Sequence, residues 1–284
     1  MASLIFLKRR IQAAQNVSKT TRAMEMVAAS KLRKAQEATL SVRPYVEKLS
    51  HLSHEISSKI TEEKSHPYIE QRIGKTLLIA LSPDKGLCGS LTGNLIREYI
   101  DFRDEVKDAV YLTVGKKMEA SLVKFKNEII ASFAFGSSLP GFEMVYPIVR
   151  LIDEYYLSKK VANVKILYTH FTSIFTQTPK ITTILPIILP KETEEKTNGF
   201  HLFEPSAEEI LPSLLKHYLE MNIYRQLLES YVSEQASRMI TMQNATNNAR
   251  DIIEDLKLEY NKSRQAKITS EILDISSAAN AKYE

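Results

Sequence analysis

The sequence predicts an α/β domain joined to a long antiparallel coiled coil in which the N- and C-terminal helices pack together. Three observations predict it. Residues 3–60 contain no glycine and a single proline, Pro44, and their apolar or small residues recur at steps of three and four. Residues 213–284 contain neither glycine nor proline and repeat the same period. Between these ends, short β-rich apolar runs alternate with helical patterns. The chain therefore divides into an N-terminal coiled-coil helix (1–60), an α/β domain (61–200) and a C-terminal coiled-coil helix (201–284).

In the first segment the stripe runs Ile11, Ala14, Val17, Thr21, Met24, Val27, Ala28, Leu32, Ala35, the period of a helix with one buried face. Pro44 is expected to kink this helix or mark its first break. The middle opens with a strand at Thr76–Ser82, then a glycine-bearing loop and a helix over Leu91–Lys107. Val110–Val114 reads as a strand, Lys116–Lys126 as a helix, Glu128–Phe135 as a third strand and Phe142–Ser158 as a helix. Val164–His170 is a fourth strand, and Thr172–Leu189 a fifth with its exit. Such alternation predicts a mostly parallel sheet covered on both faces. The charged stretch Lys191–Gly199 reads as a surface loop.

The last segment carries its stripe from Leu214 and Leu215 through Met221, Leu228, Val232, Ala236, Met242, Ala249, Ile252 and Leu256 to Ile268, Ile272 and Ile275. A helix from Ser206 to Ala279 would be roughly 110 Å long. With one apolar face and one charged face it needs a partner of similar length. Within this chain the first helix is the candidate.

Composition narrows the function classes. Among 284 residues, 38 basic against 34 acidic side chains leave a net charge of +4, too small to argue for nucleic acid by itself. The single cysteine, Cys88, excludes an internal disulfide and a cysteine-clustered zinc site. No apolar run approaches the roughly 20 residues of a membrane span, and Met1–Leu7 is too short for the apolar region of a signal peptide. The expectation is a non-exported chain whose membrane link, if any, comes through a partner.

Few residues invite chemistry. The loop Pro83–Asn94 (PDKGLCGSLTGN) follows a strand and precedes a helix, where α/β proteins bind phosphates. Its glycines at 86, 89 and 93 fit neither the dinucleotide fingerprint nor the P-loop, so a structural turn is the favoured reading. Cys88 lacks a motif-supplied base and reads as a packing residue. His51 and His54, three apart without a carboxylate motif, read as a solvated pair rather than metal ligands. No zinc-protease, nucleophile-elbow or Walker pattern is present. No catalytic, cofactor or metal site is expected.

Charge on the first helix says more. Residues 1–50 carry ten basic side chains against three acidic ones, a net of +7. The stretch is poor in aromatics, so carboxylates of a protein partner suit it better than nucleic acid.

Four stretches together resemble the gamma subunit of F-type ATP synthases: Thr21–Gln36 (TRAMEMVAASKLRKAQ), Ser82–Ser90 (SPDKGLCGS), Ser233–Thr246 (SEQASRMITMQNAT) and Tyr260–Glu271 (YNKSRQAKITSE). Their order and spacing extend the resemblance over essentially the whole chain. It implies a long antiparallel coiled coil carrying a Rossmann-like domain, with no active site of its own. It implies a central rotor stalk inside a ring of alpha and beta subunits, its base held by the epsilon subunit and a membrane-embedded ring of c subunits. It places the chain peripherally on the cytoplasmic face of the cell membrane, coupling proton or sodium flow to ATP synthesis.

Carried over by motif, Arg238, Arg264 and Gln265 resemble residues that meet a carboxylate-bearing loop of a beta subunit. Lys31, Arg33 and Lys34 resemble residues facing the acidic lever of beta, and Met24 a contact position on the coil. Phe203, Glu204 and Pro205 resemble the foot segment near the c ring. Intrahelical pairing with Glu234 is the competing reading for Arg238. Pro83 departs from the family pattern, residues 191–199 match it poorly, and no regulatory cysteine insertion is present. Two other readings remain: a nucleotide-binding α/β protein with a helical arm, acting through residues 83–94, and a coiled-coil adaptor binding RNA through its basic first helix.

Overall fold

The computed structural model describes residues 4–58, 66–188, 204 and 206–280. Its elements are α1 (Leu4–Ser58), β1 (Thr76–Leu81), α2 (Leu91–Glu105), β2 (Ala109–Val114), α3 (Lys116–Lys124), β3 (Ile129–Phe133), α4 (Val145–Leu157), β4 (Asn163–Phe171), β5 (Gln177–Leu185) and α5 (Ala207–Asn280). Contacts group them into two units: Ala29–Arg238, and Met1–Ala28 with Met239–Glu284. α1 and α5 contribute to both.

The larger unit is built on a five-stranded sheet of order β3-β2-β1-β4-β5. β1, β2, β3 and β4 pair in parallel, and β5 runs antiparallel to β4. All six residues of β1, TLLIAL, are buried, as a central parallel strand covered on both faces requires. β5 closes one edge, where Pro179 is tolerated because an edge strand need not donate on both sides. On one face Leu78, Ala80, Tyr111 and Leu167 pack with Leu91, Leu95, Tyr99 and Phe102 of α2 and Met118 and Leu122 of α3. Burying a side chain of this size contributes about 1.5–3 kcal/mol.

The helices of this unit lie antiparallel. Lys31 Nζ of α1 and the Tyr231 hydroxyl of α5 both donate to Ser137 O, at 2.6 and 3.2 Å. Further along, Tyr45 Oη lies 2.9 Å from His217 Nε2, and Val46 and Leu49 bury against Met221. α1 runs through Pro44 without breaking, contrary to one of the two sequence expectations. Burial in the adjacent Val46–Leu49–Met221 cluster offsets the lost backbone donor.

The smaller unit joins the start of α1 to the later part of α5. Thr246 Oγ1 lies 2.7 Å from Thr21 Oγ1 and also meets Met242 O at 2.8 Å. Leu7, Ala28, Met242, Ala249 and Leu256 are buried. Val17, Met24 and Val27, placed on the buried stripe by sequence, are instead 53, 41 and 55% exposed. The least exposed line of α1 runs from buried Leu7 through half-buried Ile11, Ala14, Ser18, Thr21 and Glu25 to buried Ala28, keeping Ile11, Ala14, Thr21 and Ala28 of the predicted stripe. The α5 stripe is exposed at Ile252 (49%) and again after buried Leu256, where Ile268, Ile272 and Ile275 are 46–70% exposed. α5 has 74 residues against 55 in α1, and after Leu256 none of its described side chains is buried.

Two boundaries moved for local reasons. The fifth strand starts at Gln177, because Thr172–Thr176 form a tight turn closed by Ser173 N to Thr176 O and Thr176 N to Ser173 O. Helix α4 is preceded by a separate 3₁₀ turn, Phe142–Met144.

Gly115 joins β2 to α3 at φ 109°, and a Cβ there would lie 1.9 Å from Ser82 O. Gly115→Ala is expected to destabilise the chain by about 3 kcal/mol or more. Gly93→Ala, in α2 with open space around it, should stabilise by about 0.5–1 kcal/mol. Urea midpoints of the two variants check both signs.

Candidate functional site

The glycine loop after β1 is held from three sides. Asp84 Oδ1 accepts from Lys116 N (3.0 Å) and Phe135 N (3.3 Å), and Oδ2 from Gly136 N (2.8 Å). One carboxylate thus ties the loop to the first turn of α3 and to the exit of β3. Ser82 Oγ donates to Gly115 O and accepts from Met118 N. On the far side, Ser237 Oγ of α5 donates to Cys88 O at 2.6 Å, and Arg238 Nη2 approaches Lys85 O and Gly86 O at 3.4 Å. The loop's carbonyls face side chains of α5, and its own carboxylate occupies nearby backbone donors. An incoming phosphate would meet Asp84. The loop is a structural joint, with Cys88 buried at its centre.

The α5 face above this joint is polar although buried. Ser230 Oγ accepts from Thr169 N, Ser233 Oγ donates to Thr169 O, and Gln226 Nε2 donates to Thr182 Oγ1. Arg238 Nη1 meets Glu234 Oε1 at 2.6 Å, with the side chains only 17 and 5% exposed. Burial pushes the Glu234 carboxyl above its ordinary value, and the Arg238 guanidinium only partly offsets this. Glu234 Oε2 is buried without a hydrogen bond. Burial also pushes the Tyr231 phenol up to about 12. Hydroxyls and amides within the span of the α5 apolar stripe were a sequence signal for this docking face. Asp84, beside the glycines, was a signal for the joint.

The residues singled out by sequence fall into three groups. In the larger unit, Arg238 is engaged internally, and Lys31 is spent on Ser137 O. Arg33, also there, pairs with Glu37 at 3.2 Å on the surface, and Lys34 is exposed. In the smaller unit Met24, Arg264 and Gln265 are exposed. Glu204 is exposed, whereas Phe203, Pro205 and the loop 191–199 lie outside the described residues. His51 is exposed, and no group of three His, Cys, Asp or Glu side chains able to hold a metal occurs among the described residues. Among the described residues no helix is long and apolar enough to cross a membrane.

Fold and joint define a class: a Rossmann-like sheet whose phosphate-loop position is clamped shut by a long C-terminal helix. Comparison with known proteins carries this further. A family model described as ATP synthase matches residues 3–281. The ATP synthase gamma chain of Dehalococcoides mccartyi is 39% identical over 284 residues, spanning 99% of each chain. That of Roseiflexus castenholzii is 35% identical over 290 residues, spanning 100% of each. A chain in the Euglena gracilis mitochondrial ATP synthase structure (OSCP/F1/c-ring, rotational state 3) has the same fold. Its TM-score is 0.67 at 16% identity, with 98% of this chain and 94% of that one covered. The chain belongs to the ATP synthase gamma chain family.

Glu234→Ala is expected to cost about 3 kcal/mol, because it strands a mostly buried guanidinium. The double change Glu234→Leu with Arg238→Met should cost less than that single one. Additive losses in a denaturation cycle would show the pair to be uncoupled. The raised Glu234 pKa penalises the folded state fully above that pKa. The penalty is relieved as pH falls toward the ordinary value of 4.5, so the wild type should gain on the double variant over that window.

Proposed function

We propose that this chain is the central rotor shaft of an F-type ATP synthase and couples ring rotation to ATP synthesis at beta subunits without catalysing it. The observation that carries the reading is the far end of α5. Beyond Tyr260 it presents Ile268, Ile272, Leu273 and Ile275 with 46–70% of their surface exposed, beside exposed Arg264 and Gln265. Such a face needs an outside sleeve, which a ring of alpha and beta subunits provides. Family membership over the full length supports the same role.

The shaft has no symmetry, and a ring of alternating subunits around it presents each beta with a different face. Only contacts that differ in free energy between open and closed beta states can bias them. Arg264 and Gln265 are free to meet a carboxylate-bearing loop, and the exposed Arg33 and Lys34 suit an acidic lever. Met24 is an apolar contact on the same helix. Arg238 and Lys31 join such an interface only by leaving, or sharing, the internal partners described above. The segment Phe203, Glu204, Pro205 is the proposed foot on the epsilon subunit and the c ring. The complex places the chain on the cytoplasmic face of the cell membrane, held there by partners. Nucleotide binding at residues 83–94 is disfavoured by the Asp84 carboxylate.

Reconstitution tests this. Alpha and beta subunits with this chain should hydrolyse ATP and rotate a bead attached to it; a ring that assembles and hydrolyses without rotation refutes the shaft. Arg264→Ala with Gln265→Ala should lower rotation-coupled turnover about tenfold or more, the loss of a charge-assisted contact. Arg33→Glu with Lys34→Glu should weaken coupling most at low salt, read as protons or sodium ions pumped per ATP hydrolysed.

A further inference from the structure

Glu234 and Arg238 sit one turn apart on α5, where the helix crosses the loop after β1. Glu234 Oε1 accepts from Arg238 Nη1 at 2.6 Å and from Gln235 Nε2 at 3.3 Å, while Oε2 has no hydrogen bond. Among the described residues, the charged and titratable groups facing this carboxyl come from three elements. They are Arg238 and the Tyr231 phenol on α5, Asp84 on the loop after β1, and Lys31 on α1. Asp84 opposes a second negative charge there, and Lys31 is directed at Ser137 O. The ionised carboxyl therefore relies chiefly on Arg238.

The guanidinium is tied less firmly on its outer side. Nη2 reaches Lys85 O and Gly86 O only at 3.4 Å, long for such bonds, and part of the side chain lies at the surface. Around it Lys85 and Lys117 are exposed, and Leu87 projects from the loop tip, 59% exposed. Such a surface suits an outside carboxylate. Ionised Glu234 competes with that carboxylate for one guanidinium. Neutral Glu234 competes poorly, because a hydrogen bond between two charged groups is roughly twice as strong as one to a neutral acceptor. Oε2 can carry a proton without giving up a bond, and burial favours the neutral carboxyl. We infer that Glu234 is a proton-operated latch on Arg238, holding the guanidinium on the joint when ionised and releasing it to a carboxylate of the surrounding ring when a solvent proton neutralises it. The inference deepens the rotor reading and rests on it for the source of the outside carboxylate. Because burial and Asp84 push the Glu234 carboxyl upward, release begins above the ordinary value of 4.5 and grows as pH falls.

NMR of the full chain tests the latch without a partner. The Glu234 carboxyl carbon, assigned by its loss in Glu234→Gln, should titrate above 4.5, and the Arg238 guanidinium nitrogens should shift with the same midpoint. A carboxyl titrating at or below 4.5, or guanidinium signals that stay put while it titrates, overturns the latch. Affinity for a ring of alpha and beta subunits tests the release. At neutral pH Glu234→Gln should bind the ring about threefold or more tighter than wild type, and the two should converge as pH falls. In an Arg238→Met background the same change should alter affinity by less than about twofold. A ratio constant with pH, or an undiminished gain in the Arg238→Met background, overturns the handover. A chain that titrates as stated but binds no ring refutes the rotor reading while upholding the internal latch.

Discussion

The larger unit depends on the polar docking of α5 against the ends of the sheet. Ser230 and Ser233 bracket the backbone of Thr169, Ser237 caps the Cys88 carbonyl, and Arg238 bridges Glu234 to the loop after β1. Apolar burial alone would let a helix slide or rotate on a sheet at little cost. Directional bonds in a dry interface fix one register, since each unmet group costs about 1–3 kcal/mol. The imperfect Glu234–Arg238 pair contributes little net stability, because desolvation offsets its attraction. Its contribution is positional.

That docking explains why a Rossmann-like sheet carries no phosphate loop here. In a nucleotide-binding relative of the fold, the turn after β1 presents free backbone donors to a ligand. In this chain Asp84 consumes donors from α3 and the β3 exit, and α5 covers the loop carbonyls. The turn fastens the sheet to α5, and the fold's usual ligand position is structural.

Element order and type were readable because long 3-4 periodicity and short β-rich runs are strong signals. β1, with its unbroken apolar run, fell where expected. The exposed lane of Val17, Met24 and Val27 was not readable as exposed. Steps of three and four fit neighbouring lanes of one helix equally well, so periodicity cannot tell which lane faces α5. Pro44 was over-weighted for a related reason: local propensity speaks for a break, but the Val46–Leu49–Met221 packing overrides it. The joint was half-legible. The glycine spacing argued against phosphate binding, yet the role of Asp84 emerged only once the sheet brought residues 84, 116 and 136 together. The competing reading of Arg238, pairing with Glu234, is the one present in this structure; motif resemblance alone could not distinguish a resting partner from an external one.

The unmatched far end of α5 has a consequence for how cells must handle this polypeptide. Left uncovered, the bare apolar face is adhesive to any similar surface, including copies of itself. If the proposed sleeve is what covers this face, molecules made in excess of it would clump, and balanced production with that partner follows from the same exposed side chains.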